Sequence, residues 1–129
     1  MKAIINPRPL VGTVPAIASK SMAHRLIIAA ALANDPTHVV CNTTCADIEA
    51  TVRCLAALGA KIESTEDGFS VRPALRSVEF GLLKALHGGT LDCGESGSTL
   101  RFLIPIALAL TGSVSFRGHG RLMQRPQTP

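Results

Sequence analysis

The chain has 129 residues, of which 47% are apolar and 17% charged, so it has the composition of a globular domain and not of a disordered segment. It carries a formal net charge of +4 but has no run of Lys or Arg, no Trp or Tyr and only four Phe. Nucleic-acid binding is therefore not expected. The longest apolar runs, residues 26–33 and 102–110, are too short to cross a bilayer, and no membrane partner is expected. Two interpretations of the positive charge remain: an ordinary basic surface, or a binding site for small anions.

The four cysteines form no CxxC pair and have no histidine at zinc-finger spacing. We therefore expect no metal site, and we expect reduced, mostly buried thiols in a cytoplasmic protein. The start of the chain lacks the apolar core of a signal peptide, which agrees with a cytoplasmic location.

The first part of the chain alternates between extended and helical patterns. Residues 10–17 form an extended leading segment, and residues 19–33 predict a helix that ends at the turn residues 34–36. Residues 38–42 predict a strand, and residues 46–58 a second helix with apolar residues on one face.

Gly59 is the expected stop of that helix. Residues 60–64 and 69–72 then predict two strands of a hairpin around the turn at 65–68. The predicted order is β-α-β-α-β-β.

The order restarts after an undefined stretch that reaches His87. A strand is predicted over 90–93, a helix over 96–110 and a strand over 113–117. Pro105 lies inside the helix and is expected to kink it.

A weak internal repeat supports the restart. Residues 19–25 and 96–101 are both small and polar, end near an arginine and precede an apolar helix. The fold class predicted is α/β (α+β), with a leading segment at 1–18, a first βαβαββ unit at 19–75 and an incomplete second unit at 76–129. A chance likeness between two Ala/Leu helices is the alternative.

The first of these helix starts is a candidate anion site. Ser19 is the expected N-cap, and the first turn offers unpaired N–H groups at the positive end of the helix dipole. Ser21 and Arg25 are four residues apart, so a hydroxyl and a guanidinium share one face, while Lys20 points elsewhere and could serve a second anion. A capped helix with solvated Lys and Arg is the plain alternative.

The second helix start repeats this pattern. Gly97 allows a ligand to approach the backbone, Arg101 lies four residues later, and Ser98 and Thr99 add hydroxyls.

A third cluster, residues 117–126, is interpreted as a Gly-rich loop with three arginines and no carboxylate, which favours an anionic ligand; an ordinary basic surface loop is the alternative. His24 is interpreted as a surface or packing residue, not as a general base.

The motifs at 19–25, 92–101 and 121–126 together resemble the EPSP synthase family of enolpyruvyl transferases. The resemblance extends over essentially the whole chain and implies a two-lobed fold of repeated βαβαββ units. It implies transfer of the enolpyruvyl group of phosphoenolpyruvate to the 5-hydroxyl of shikimate 3-phosphate, with release of phosphate and without metal or organic cofactor. The full-length enzyme is expected to be a monomer.

The resemblance also implies roles for individual residues. Lys20, Gly97 and Arg125 would contact phosphoenolpyruvate, whereas Lys20, Ser21 and Arg25 would hold shikimate 3-phosphate. Three further residues would stand beside these contacts: Ser98, Arg101 and Arg121. No residue of this chain is assigned a catalytic role.

The chain departs from the family pattern at three places. Ile17-Ala18 stands where the family has Pro-Gly, Glu95 where many members carry Asn, and Phe102 where many carry Pro. The second lobe, which by resemblance supplies the acid/base carboxylates, is absent, so we expect a fragment that is inactive by itself. Two alternatives stay open: the sister transferase that acts on UDP-N-acetylglucosamine, and a non-catalytic anion-binding or assembly domain.

Overall fold

The computed structural model describes residues 2–4, 6, 7, 9, 11–73, 89–111 and 113–126. These residues form a mixed α+β structure. The helices are α1 (Lys20–Ala31), α2 (Ala46–Ala57) and α3 (Gly97–Leu110), followed by a short 3₁₀ helix (Gly120–Gln124). The strands are β1 (Thr37–Val40), β2 (Lys61–Ser64), β3 (Gly68–Arg72), β4 (Gly89–Asp92) and β5 (Val114–Arg117). Within the described ranges, no helix is long and apolar enough to cross a membrane.

The described strands form two small sheets. One is antiparallel with the order β1-β3-β2, in which Phe69 of β3 pairs with Val39 on one side and Ser64 on the other. The other joins β4 and β5 in parallel, with α3 as the connection between them. The predicted hairpin is confirmed, because the Thr65 N–H donates to the Gly68 carbonyl over 2.9 Å.

The predicted helices begin and end close to the expected residues. Ser19 and Ser96 are the N-caps of α1 and α3, and their hydroxyls accept from the N–H groups of Met22 at 3.4 Å and Thr99 at 3.2 Å. α2 ends before Gly59, whose φ of 99° is the left-handed conformation that favours glycine.

Two sequence interpretations are corrected. The leading segment was predicted to supply the first strand, but residues 11–18 contain no strand or helix. Val11, Val14 and Ile17 are 99%, 87% and 77% exposed, and among the described residues only the last of the segment, Ala18, is held, since its N–H donates to the Asn42 side chain over 3.1 Å. The second correction concerns the predicted loop over residues 117–126, where residues 120–124 form a 3₁₀ helix whose Leu122 side chain is buried.

Two other predictions are not tested by the described structure. Helix α3 continues past Pro105, and a kink there stays a prediction. The undefined stretch before His87 falls largely on residues 74–88, which lie outside the described part of the chain.

The core is built from aliphatic side chains of the helices and strands. Ile27, Leu55, Val71, Leu91 and Leu103 are all at most 1% exposed. Helix α2 lies centrally, since it packs against α1, α3 and β4. This central position brings the N-terminal turns of the three helices into contact.

All four cysteines are free, and three of them are buried, in agreement with the prediction. A hydrogen bond with the Cys93 thiol, together with burial, raises the pKa of Cys54. This thiol therefore stays protonated and unreactive at neutral pH.

Candidate functional site

Lys20, Ser21 and Arg25 lie at the start of α1 and are exposed; we call these residues the α1 site. The Arg25 Nη1 donates to the Ser21 carbonyl oxygen over 2.8 Å. The predicted proximity of these two residues is confirmed, although the observed bond goes to the backbone of Ser21 and not to its hydroxyl. The guanidinium is thereby held beside the first turn, where unpaired N–H groups favour an anion.

Lys20 makes an ion pair that its sequence neighbours do not predict. Its Nζ lies 2.7 Å from Oδ2 of Asp47, in the first turn of α2, with side-chain exposures of 52% and 31%. The hydrogen bond to Asp47, and next the charge of that carboxylate, raise the pKa of Lys20. Lys20 therefore stays charged at neutral pH, in a partly exposed pair that a competing anion can open.

Gly97 and Arg125 are brought together at the start of α3; we call them the α3 site. A Cβ added to Gly97 would lie 3.3 Å from Nη1 of Arg125 and 3.7 Å from Cδ1 of Leu122. The absence of a side chain at Gly97 leaves room for the guanidinium against the first turn of the helix. Ser98, Arg101 and Arg121 are exposed on the same two elements, α3 and the 3₁₀ helix.

The two helix starts are similar at their caps but not at their arginines. Arg25 is the sixth residue after its N-cap serine, whereas Arg101 is the fifth after Ser96, and the sixth is Phe102. One residue rotates a helical position by roughly 100°, so the arginines lie on different faces of their helices. The predicted likeness therefore holds for the caps alone.

Asp47 links the two sites. Its carboxylate accepts from Lys20, and its backbone carbonyl accepts from the Thr99 hydroxyl in α3 at 3.2 Å. Among the described residues, no direct bond joins Lys20 to Gly97. The separation of the two sites consequently depends on α2.

A buried chain of polar side chains connects the same three helices. His24 Nδ1 lies 2.7 Å from Thr51 Oγ1, Thr51 Oγ1 lies 2.7 Å from Thr99 Oγ1, and Thr99 Oγ1 lies 2.7 Å from Ser96 Oγ. All four side chains are at most 2% exposed. Hydrogen bonds of this kind fix the relative positions of the helices because each buried group requires its partner.

His24 is a packing residue, as the sequence analysis expected. Its Nε2 is buried and has no hydrogen-bond partner among the described residues, and its ring meets Phe102 edge-on with centroids 6.2 Å apart. Burial lowers the pKa of His24, because the charged ring would lose its hydration. The imidazole is therefore neutral at neutral pH.

A third group of side chains lies where β4 and β5 end. His119 Nε2 lies 3.2 Å from Oδ1 of Asp92, and the Gly94 N–H donates to the same carboxylate oxygen over 2.9 Å. The hydrogen bond from Gly94, and then the one from His119, hold the pKa of Asp92 below its usual range. Sequence reasoning missed this pair, although Asp92 lies near the end of one predicted strand, His119 follows the other, and parallel strands end at the same edge of a sheet.

A cleft of about 340 Å³ lies elsewhere, between α2 and the β2–β3 hairpin. Its lining includes Asn42, Glu49, Arg53 and Glu66 but none of the predicted site residues. Its mixed charges do not single out a ligand. The α1 and α3 sites are therefore assigned from the chemistry and position of their side chains, and not from an enclosed cavity.

Comparison with known proteins matches the chain to one family. The family described as EPSP synthase (3-phosphoshikimate 1-carboxyvinyltransferase) matches residues 4–129. Proteins named 3-phosphoshikimate 1-carboxyvinyltransferase from Clostridium novyi (strain NT) and Clostridioides difficile (strain 630) are 42% identical over 125 and 127 residues. A protein of the same name from Clostridium perfringens (strain SM101 / Type A) is 40% identical over 125 residues. These alignments cover 95–97% of this chain but only 28–29% of the relatives, so the chain spans less than a third of their length.

Proposed function

The chain belongs to the EPSP synthase family, and on that premise we propose that it supplies part of an enolpyruvyl transferase active site. The reaction transfers the enolpyruvyl group of phosphoenolpyruvate to the 5-hydroxyl of shikimate 3-phosphate and releases phosphate, in aromatic amino-acid biosynthesis. Because the chain spans less than a third of its relatives, the complete reaction belongs to this proposal.

The grouping of cations at two helix N-termini supports the proposal. Lys20 and Arg25 stand at the start of α1, and Arg125 lies against Gly97 at the start of α3. Helix N-termini add unpaired N–H groups and a positive dipole end to these charges. Two helix starts linked through Asp47 suit two different anionic substrates bound side by side.

We assign one substrate to each helix start. Shikimate 3-phosphate binds Lys20, Ser21 and Arg25, and phosphoenolpyruvate binds Lys20, Gly97 and Arg125. Lys20 serves both because its ammonium faces α2, the helix that lies between α1 and α3. Ser98, Arg101 and Arg121 stand beside the second substrate.

The chemistry explains why cations are required. Both substrates carry several negative charges and repel one another, and fixed cations offset this repulsion and orient the reacting atoms. No metal or organic cofactor enters the proposed reaction. Proton transfer to and from the reacting groups requires an acid and a base, and this chain contributes binding groups, not those catalysts.

The finer organisation is part of the same proposal. The first unit covers residues 19–75, whose described elements follow the order α1-β1-α2-β2-β3 of a βαβαββ repeat without its first strand, and residues 76–129 belong to an incomplete second unit; the equivalent serine caps of α1 and α3 support this division. The complete enzyme acts as a monomer in the cytoplasm; the free thiols of this chain are in line with the cytoplasmic location.

A titration of the isotope-labelled 129-residue chain, followed by amide chemical shifts, tests the assignment. Shikimate 3-phosphate is expected to shift residues 19–25, and phosphoenolpyruvate residues 97 and 125. Open sites exposed to water weaken each charged contact, so dissociation constants of about millimolar are expected, corresponding to roughly 4 kcal/mol.

Two variants make the titration specific. Arg25→Ala is expected to abolish most of the shikimate 3-phosphate binding, whereas Lys20→Ala weakens phosphoenolpyruvate more. Arg72→Ala is the matched control, because this exposed arginine lies on β3, outside both sites. Shifts that cluster away from 19–25 and 94–101 contradict the anion-site assignment and support a likeness of fold alone.

A further inference from the structure

Phe102 makes a contact with the α1 site that no function has yet explained. The guanidinium carbon of Arg25 lies over the Phe102 ring, 5.0 Å from its centroid. Arg25 and Phe102 are each the sixth residue after the N-cap serine of their own helix. The two helix starts thus meet through an arginine on one side and an aromatic ring on the other.

The ring contact leaves the hydrogen-bonding capacity of Arg25 largely intact. A ring face attracts a cation without an oxygen acceptor, and a guanidinium has five N–H donors. One nitrogen, Nη1, donates to the Ser21 carbonyl, and among the described residues no carboxylate is paired with Arg25. The guanidinium is restrained in position and still has donors for an anion.

The ring itself is held in place. Phe102 is half-buried against the core, and the His24 ring meets it at 64° with a centroid separation of 6.2 Å. His24 is fixed in turn by its 2.7 Å bond to Thr51. Because the Phe102 ring is restrained, it also restrains the Arg25 side chain, which then loses less conformational entropy when a ligand binds.

We infer that Phe102 is a positioning residue for Arg25: its ring holds the guanidinium at the start of α1 in the orientation that binds a phosphate monoester. This inference rests on the proposed role of Arg25. It assigns to α3 a part in forming the phosphate site of α1, so the two substrate sites are linked through a side chain as well as through Asp47.

Two substitutions separate the ring from the volume it fills. Phe102→Leu keeps an apolar side chain but removes the aromatic face, and Phe102→Tyr keeps the face. Phe116→Leu is the matched control, since Phe116 is a half-buried phenylalanine on β5 that makes no described contact with Arg25. The 129-residue chain is titrated with inorganic phosphate, and the Arg25 side-chain protons are followed by NMR before and during the titration.

Without ligand, Phe102→Leu is expected to remove the ring-current shift of the Arg25 protons, whereas Phe102→Tyr and Phe116→Leu retain it. Phosphate affinity should fall about two- to fivefold in Phe102→Leu and remain at the wild-type value in Phe102→Tyr, as expected for a cation–π contact at an exposed site. If Phe102→Leu does not fold, Phe102→Met is read in the same way.

The results that overturn the inference differ from those that overturn the proposed function. If Arg25→Ala weakens phosphate binding but Phe102→Leu does not, or if Phe102→Tyr loses as much affinity as Phe102→Leu, positioning by the ring is wrong and the phosphate site stands. If Arg25→Ala leaves phosphate binding unchanged, the proposed role of Arg25 fails, and the inference fails with it.

Discussion

Lys20 and Asp47 form a 2.7 Å ion pair between the first turns of α1 and α2, and Asp47 also accepts through its backbone carbonyl from Thr99 of α3. One residue of α2 therefore contacts both helices that carry proposed substrate ligands. Because its carboxylate occupies the Lys20 ammonium, an incoming anion has to share or displace it.

Asp47→Asn is expected to strengthen phosphate binding a few-fold, because the carboxylate no longer competes for Lys20. The gain should shrink with added salt, since both partners are partly exposed. Titration of inorganic phosphate at low and high ionic strength measures it. Glu49→Gln is the matched control: it removes the same charge from the first turn of α2 and has no described bond to Lys20. Equal gains in both variants would mean that only net charge matters.

Thr51→Val is expected to destabilise the chain by about 1–3 kcal/mol, because it leaves the buried His24 Nδ1 on α1 without a hydrogen bond and removes one of the hydrogen bonds of Thr99 on α3. Thr51 is fully buried and its hydroxyl is within 2.7 Å of both His24 Nδ1 and Thr99 Oγ1. Valine has nearly the same shape, so the loss isolates the hydroxyl. Urea unfolding measures the change, and Thr51→Ser, which retains the hydroxyl, should lose less. A Val variant as stable as wild type would show that the chain of hydroxyls contributes nothing.

Acid should destabilise the protein through His24. Its folded pKa is lowered from the usual 6.5 by burial, so below about pH 6.5 the unfolded state binds the proton and the folded state does not. The free energy of unfolding therefore falls as the pH drops from about 6.5 towards the folded pKa, by at most about 1.4 kcal/mol per pH unit.

Urea unfolding of wild type and His24→Gln between pH 7.5 and 5 isolates this effect, since glutamine does not titrate. The pKa values of Asp67 and Asp92 are also lowered, but they act in both proteins and at lower pH. Parallel pH dependences in the two proteins would assign the acid sensitivity to other groups.

Local signals in the sequence were enough to place the helices and the hairpin. Serine at both N-caps, glycine after α2 and a four-residue turn between β2 and β3 each act over a few residues, so their effect can be predicted without a structure. The prediction of a strand in the leading segment was wrong, because a strand requires a partner strand and residues 11–18 have none among the described strands.

The contacts of the candidate site also fall into two groups, those that could be predicted from the sequence and those that could not. Ser21 and Arg25 are four residues apart in one helix, so their contact followed from helical geometry. Lys20–Asp47 and His24–Thr51 each join residues 27 apart, and such contacts depend on how α2 packs against α1. Thr51 gives no signal in the sequence until that packing is known. Thr99 was interpreted as a ligand hydroxyl of the second helix start, but it is fully buried and bonds to Thr51.

Gly97→Ala is expected to weaken phosphoenolpyruvate binding several-fold while the fold is retained. The new methyl group would lie 3.3 Å from Arg125 Nη1, which is closer than most such contacts, so the guanidinium has to move. Alanine suits a helix better than glycine, so stability should not fall. Gly120→Ala provides the contrast, because Gly120 has a φ of 54° and an added Cβ would collide with the Glu95 carboxylate. Amide titration and thermal unfolding of both variants separate a loss of binding from a loss of folding.

The isolated 129-residue chain is expected to show no turnover. Enolpyruvyl transfer requires a proton donor and a proton acceptor, and the α1 and α3 sites provide cations, hydroxyls and backbone N–H groups instead. The described acid/base pair near them, His119 with Asp92, lies at the ends of β4 and β5, and its 3.2 Å contact occupies both partners with one another. Phosphate release from phosphoenolpyruvate and shikimate 3-phosphate is the assay, with His119→Ala as the companion variant. Turnover in the normal enzymatic range that disappears in His119→Ala would make this pair catalytic, and turnover that survives the substitution would place an acid/base group elsewhere in the chain.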